Sequence, residues 1–176
     1  NKVAFEKVNV GLSKILCDTI KDNGEKIKLI FASSIQADQD SQFGRSKRAA
    51  EKLFEELSKD TDNSVFIYRL TNTFGKWSKP NYNSVVSTFC YNIAHGLPIQ
   101  INDSSTKLNL VYVDDVISEF LRAVQSDTNG LTWGSIEPVY NITLGKLANQ
   151  IEAFKSCRSS LVSERVGSGI IRSLYS

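Results

Sequence analysis

The sequence predicts an α/β fold, part of a doubly wound parallel sheet followed by a small C-terminal lobe. Three observations predict it. Short apolar runs that read as strands alternate with amphipathic stretches of helical period. The first two strand runs are almost continuously apolar, as strands covered on both faces are. The order helix, strand, helix, strand calls for crossover connections, which make neighbouring strands parallel.

Residues 8–20 place Val8, Leu12, Ile15, Leu16 and Ile20 at helical spacing, and Asn23-Gly24 follows as a stop signal. Residues 26–33 carry Ile27, Leu29, Ile30 and Phe31 and predict a strand buried on both faces. Residues 41–59 return to helical period, with Phe43, Lys47, Ala50, Phe54 and Leu57 on one side. Residues 65–70 repeat the buried strand pattern. A polar, aromatic loop then runs from Lys76 to Asn83, ahead of a helix over 84–95 that Gly96 closes. Strands are expected at 99–101, 108–113 and 139–142, and helices at 114–125 and 143–155. The serine-rich stretch 156–176, with Gly167-Ser168-Gly169, reads as a tail or linker.

Composition excludes several classes of function. Twenty-one basic and nineteen acidic residues leave a net charge of +2, which argues neither for nor against nucleic acid. No apolar stretch approaches the roughly 18 residues of a membrane span, and residues 1–7 lack a signal peptide's apolar segment, so a cytoplasmic protein is expected. Cys17, Cys90 and Cys157 are few and scattered, and His95 is the single histidine, which argues against a disulfide framework or a zinc site. The chain begins at Asn1, contains no methionine and opens within a helix-like pattern, so a piece of a longer protein is expected.

Ligands of open parallel sheets sit at the carboxyl ends of the strands. Ser33-Ser34 ends the first strand, and nine residues later a helix opens that carries Phe43 and Lys47 one turn apart. Asp114-Asp115 reads as an N-cap and a first-turn acid rather than a metal pair. His95 sits at a helix C-terminus, where a cation is favoured, and is given no catalytic role.

The blocks Ala32-Ser33-Ser34-Ile35-Gln36-Ala37, Gln42-Phe43-Gly44-Arg45-Ser46-Lys47 and Tyr68-Arg69-Leu70-Thr71-Asn72-Thr73-Phe74-Gly75 resemble consecutive blocks of extended short-chain dehydrogenases. Lys79 to Val86 and Leu110 to Val116 are similar, more narrowly, to reductases of UDP-N-acetyl-L-fucosamine synthesis for bacterial capsule and O-antigen. The resemblance runs from about Asn9 to Tyr175. It implies a Rossmann-like domain whose rear part is residues 1–75, a substrate-binding lobe over 76–156 and a tail over 157–176. It also implies an NADP- or NAD-dependent reductase of a UDP-linked 4-keto-6-deoxy-N-acetylhexosamine, with a cupin domain beyond. A 4-epimerase or 4,6-dehydratase is the alternative enzyme, and Ile35-Gln36 stands where a dehydratase has acidic residues. The other alternative is a catalytically silent chain that binds nucleotide sugar or a partner.

In that family a tyrosine donates the proton, a lysine four residues on lowers its pKa and holds the nicotinamide ribose, and a serine and an asparagine complete the set. By position, Asn9, Ser34 and Lys47 match three of these, and Phe43 occupies the tyrosine position. A decayed copy, an engineered trap, or a proton from elsewhere, with Tyr82 as one source, would each account for Phe43. The resemblance implies cofactor contacts from Ser33, Lys47, Leu70, Thr71 and Asn72. It implies UDP-sugar contacts from Ser34, Asn72, Lys76, Lys79, Asn81, Tyr82 and Asn83. The family's glycine-rich phosphate turn has no counterpart in these residues, so cofactor binding is expected to be weak without a front half. A homodimer through helices 8–20 and 41–59 is implied as well, and no metal, nucleic acid or membrane.

Overall fold

The computed structural model describes residues 5–176. The chain divides into two compact units: residues up to Thr71 with Ser118–Ile136, and Asn72–Ile117 with Glu137–Ser176.

In the first unit a π-helical turn, Glu6–Gly11, runs into helix α1, Leu12–Asn23. Gly24 ends α1 at φ 65°, a left-handed conformation that glycine adopts without strain. Strand β1, Lys28–Ser34, is followed by a 3₁₀ turn, Ile35–Asp38, and helix α2, Gln42–Asp60. Strand β2, Ser64–Leu70, lies between β1 and β5, Leu131–Gly134, and both pairings are parallel. Alternate residues of β2 explain its apolar run. Val65 and Ile67 join Cys17 and Ile20 of α1 and Ala50, Phe54 and Leu57 of α2 in one core. Tyr68 turns the other way, its ring 5.1 Å from that of Phe120. Burial of each valine, leucine, isoleucine and phenylalanine side chain among these contributes about 1.5–3 kcal/mol relative to exposure.

In the second unit β3, Asn72–Phe74, pairs parallel with β4, Lys107–Tyr112, and β4 pairs antiparallel with β6, Tyr140–Thr143. Helix α3, Val85–Ala94, and helix α5, Leu144–Ser160, pack on this sheet through Val86, Phe89, Ile93, Leu147 and Ile151. Helix α4, Val113–Gln125, begins in this unit and has its later residues in the first. Asp114 and Asp115 occupy its first turn, where carboxylates complement the helix dipole.

Several elements differ from expectation. Residues 99–101 form no strand, although Ile99 and Ile101 pack on the core; an apolar pair spaced by two satisfies burial without a ladder partner. Strands β3 and β5 arise in stretches too short for a period to show. Among the described residues β1 is an edge strand, not one buried on both faces: Leu29 and Ser33 are buried, Ile30 and Phe31 partly so, and Ala32 is exposed. The expected tail forms helix α6, Gly169–Tyr175, because Ile170 and Leu174 find the second core. Among the described residues no helix is long and apolar enough to cross a membrane, no cluster suits a metal ion, and the three cysteines are free.

Candidate functional site

The carboxyl end of β1 in the first unit gathers Asn9, Ser34, Phe43 and Lys47 around the start of α2. Ser41 caps that helix, its hydroxyl accepting from the Gly44 amide at 2.9 Å. Gly44 is required by close approach, since a Cβ there would meet the carbonyl oxygens of Gln36 and Gln39. The 3₁₀ turn can therefore lie directly against α2, which sets Ser34 and Phe43 by backbone contact.

Lys47 is half-buried and donates from Nζ to the Ala32 carbonyl at 3.0 Å. The Phe31 and Phe43 ring centres lie 5.0 and 5.9 Å from the amine. Burial pushes the pKa of Lys47 down, and the negative charge of Glu51 pulls it partly back. Phe43 is half-buried, and its ring meets Phe5 edge-on with centroids 5.5 Å apart. Asn9 donates from Nδ2 to Ser46 Oγ at 2.9 Å, and Ser46 Oγ donates to the Phe43 carbonyl at 2.8 Å. Asn9 and Phe43 are thus joined through Ser46, and Lys47 meets Phe43 by its ring. The hydroxyl of Ser34 caps the 3₁₀ turn, accepting from the Gln36 amide at 3.2 Å.

Ser33 is buried and donates to Glu51 Oε1 at 2.5 Å. Leu70 ends β2, and Thr71 is the last residue of the first unit before Asn72 opens β3 in the second. Sequence reasoning missed Glu51 and Arg69, whose side chains meet behind Ser33 at 2.7 and 2.9 Å. The signal was present: a glutamate within the buried stripe of a helix and an arginine in an apolar strand each need a partner.

In the second unit, the loop after β3 is pinned to the N-terminus of α3. Asn81, at φ 53°, donates from its amide to Thr88 Oγ1 at 3.0 Å and from Nδ2 to Asn92 Oδ1 at 3.2 Å. Lys76 forms an ion pair with Asp114 at 2.9 Å, which holds that carboxyl below the usual carboxylate range. Lys79 lies over the ring of Tyr82 at 5.6 Å, and Tyr82 and Asn83 are exposed. A cavity of about 420 Å³ opens beside this loop, bounded by Phe74, Lys76, Ser78, Val86, Tyr91 and Ser176. The predicted site residues thus fall into two groups, one in each unit.

Residues 1–142 match the family model described as the NAD dependent epimerase/dehydratase family. The UDP-2-acetamido-2,6-beta-L-arabino-hexul-4-ose reductase of Pseudomonas aeruginosa is 46% identical over 172 residues, 98% of this chain and 46% of the relative. The crystal structure of the capsular polysaccharide assembling protein CapF from Staphylococcus aureus is similar with a TM-score of 0.85 and 38% identity. That match covers 93% of this chain and 44% of CapF. The UDP-glucose 4-epimerase of Thermotoga maritima shares the fold at a TM-score of 0.79 and 20% identity, over 89% of this chain and 56% of the epimerase. The chain spans less than half the length of the reductase and of CapF.

Proposed function

Since the chain belongs to the NAD dependent epimerase/dehydratase family, we propose that it is the rear part of an NAD(P)-dependent reductase of a UDP-linked 4-keto-6-deoxy-N-acetylhexosamine. The observation that carries this reading is the 46% identity over 172 residues to a reductase of a UDP-linked hexulose. The geometry at β1 and α2 is compatible with it. A half-buried ammonium one turn from Phe43, at the end of the strand that carries Ser34, fits the nicotinamide ribose. Lys47, Leu70, Thr71 and Asn72 would hold the cofactor, which supplies a hydride when bound; Ser33, buried with its hydroxyl on Glu51, offers it no side-chain contact.

The chain's own residues have four tasks in this reading. Ser34 hydrogen-bonds the keto oxygen of the substrate. Lys47 orients the ribose with its ammonium. Asn9 holds the start of α2 through Ser46. Asn72, Lys76, Lys79, Asn81, Tyr82 and Asn83 bind the UDP-sugar, with lysine ammonium groups for the diphosphate. Position 43 supplies no proton, and general acid help is worth about 10² to 10⁴ in rate.

A second reading rests on Phe43: a chain that binds nucleotide sugar and turns it over slowly or not at all. Residues 1–176 alone bind NADP or NAD weakly in either case. The subunit pairs with a second copy through α1, whose outer face exposes Leu12, Ile15 and Leu16 next to Val8. The expected contribution of α2 has less support, since α2 holds none of the exposed large apolar residues among the described ones.

The test joins this chain to the cofactor-binding front half of a full-length relative and follows the absorbance of reduced nicotinamide with UDP-linked 4-keto sugars. Consumption of one reduced cofactor per sugar supports the reductase. Interconversion of UDP-sugars without net consumption would assign an epimerase instead.

A further inference from the structure

Two charged side chains lie where the sequence pattern calls for apolar ones. Glu51 faces the sheet from α2 and is 2% exposed. Arg69 stands in β2 as the register partner of Ser33 in β1, so both side chains leave the ladder on one face. They converge on one carboxylate. Glu51 Oε1 accepts from Ser33 Oγ at 2.5 Å and from Arg69 Nε at 2.9 Å, and Oε2 accepts from Arg69 Nη2 at 2.7 Å. Arg69 also pairs with Asp38 of the 3₁₀ turn at 2.6 Å, and its guanidinium lies 4.9 Å from the ring centre of Trp133 in β5.

Glu51 is four residues after Lys47, one turn along the same face of α2. The two grip consecutive residues of β1, Lys47 the carbonyl of Ala32 and Glu51 the hydroxyl of Ser33. Ser34 is the next residue. A helix held to a strand at two adjacent residues has no freedom to slide, so the placement of Ser34 against Phe43 and Lys47 depends on both grips.

We propose that Glu51, paired with Arg69, is a positioning residue of this site: it fixes the end of β1 and provides the counter-charge to the Lys47 amine. The proposal rests on reading Lys47 as the active-site lysine. Around the amine β1 brings Phe31 and α2 brings Phe43, neither of which titrates, and among the described residues Glu51 is the ionisable side chain that acts on its charge. Beyond Glu51 stand Arg69, its ion-pair partner, and Asp38, which pairs with Arg69.

The test reads Lys47 directly in this chain, without turnover, so its failure is separable from failure of the reductase reading. Lysines are ¹³C-methylated, Lys47 is assigned with Lys47→Arg, and its titration is followed by NMR. Glu51→Gln keeps the shape and removes the charge, and should move the Lys47 midpoint down. Glu51→Gln with Arg69→Gln leaves no lone buried charge and serves if the single variant fails to fold. It should give a smaller downward shift, because the opposing charge of Arg69 goes too. Ser33→Ala, which deletes one hydrogen bond and no charge, should leave the midpoint in place while moving the amide signals of Ala32 and Ser34. An unchanged midpoint in folded Glu51→Gln, or in the folded double variant, would overturn the proposal.

Discussion

Phe43 and Lys47 stand one turn apart on α2, the amine 5.9 Å from the centre of a ring that carries no ionisable group. A phenol oxygen added to that ring would extend it within the field of the ammonium, which favours the phenolate. Phe43→Tyr, joined to a cofactor-binding front half, is therefore expected to raise turnover by about 10²-fold or more with little change in substrate affinity. Phe43→Tyr with Lys47→Ala should recover much less. Steady-state kinetics on the three versions checks this, and equal turnover with and without the added hydroxyl would move the proton to another group.

Lys47 also makes stability depend on pH. Its folded pKa lies below the ordinary 10.5, so the folded state binds fewer protons than the unfolded one between the two values. Burying the ammonium is unfavourable below the lowered value, and this cost disappears above 10.5. The contribution of Lys47 to stability therefore rises with pH across that window. Lys47→Met should flatten the rise, as seen in denaturant unfolding at a series of alkaline pH values.

Gly44→Ala separates propensity from packing. Alanine in a helix interior is worth about 1 kcal/mol over glycine. Here the added Cβ meets the backbone oxygens of Gln36 and Gln39, which no side-chain rotation relieves. Overpacking typically costs about 1–3 kcal/mol, and a clash with two backbone oxygens falls in the upper part of that range, so a net loss of up to about 2 kcal/mol is expected. A melting temperature at or above that of the parent chain would contradict the contact.

The outer face of α1 decides self-association. Ile15 is 64% exposed, so Ile15→Asp removes no core contact and should leave the circular dichroism spectrum unchanged. If α1 pairs with a second copy, the same change should shift light scattering from dimer toward monomer. Identical mass for both proteins at high concentration would count against the pairing.

The fold was legible where a period could build up. α1, α2 and β2 are long and regular, and the structure places them within a few residues of expectation. β3 and β5 hold three and four residues and owe their existence to a neighbouring strand, which local pattern does not carry. At the site, Ser34 and Lys47 were found by their spacing and by likeness to a family. Glu51 was missed although it falls within the stripe of Ala50, Phe54 and Leu57, because its partner Arg69 lies 18 residues on in another element and local pattern does not join the two.

The edge position of β1 bears on how this part of the sheet could be extended. Among the described residues it has a ladder partner on one side, and its middle, Leu29 to Ser33, contains neither proline nor a charge. Such a strand lacks the usual guards against recruiting another backbone. Lys28, at its start, is turned away to bind the carbonyls of Val124 and Ser126. In the rear part of a longer protein, that open ladder is where a further strand of the same sheet would pair.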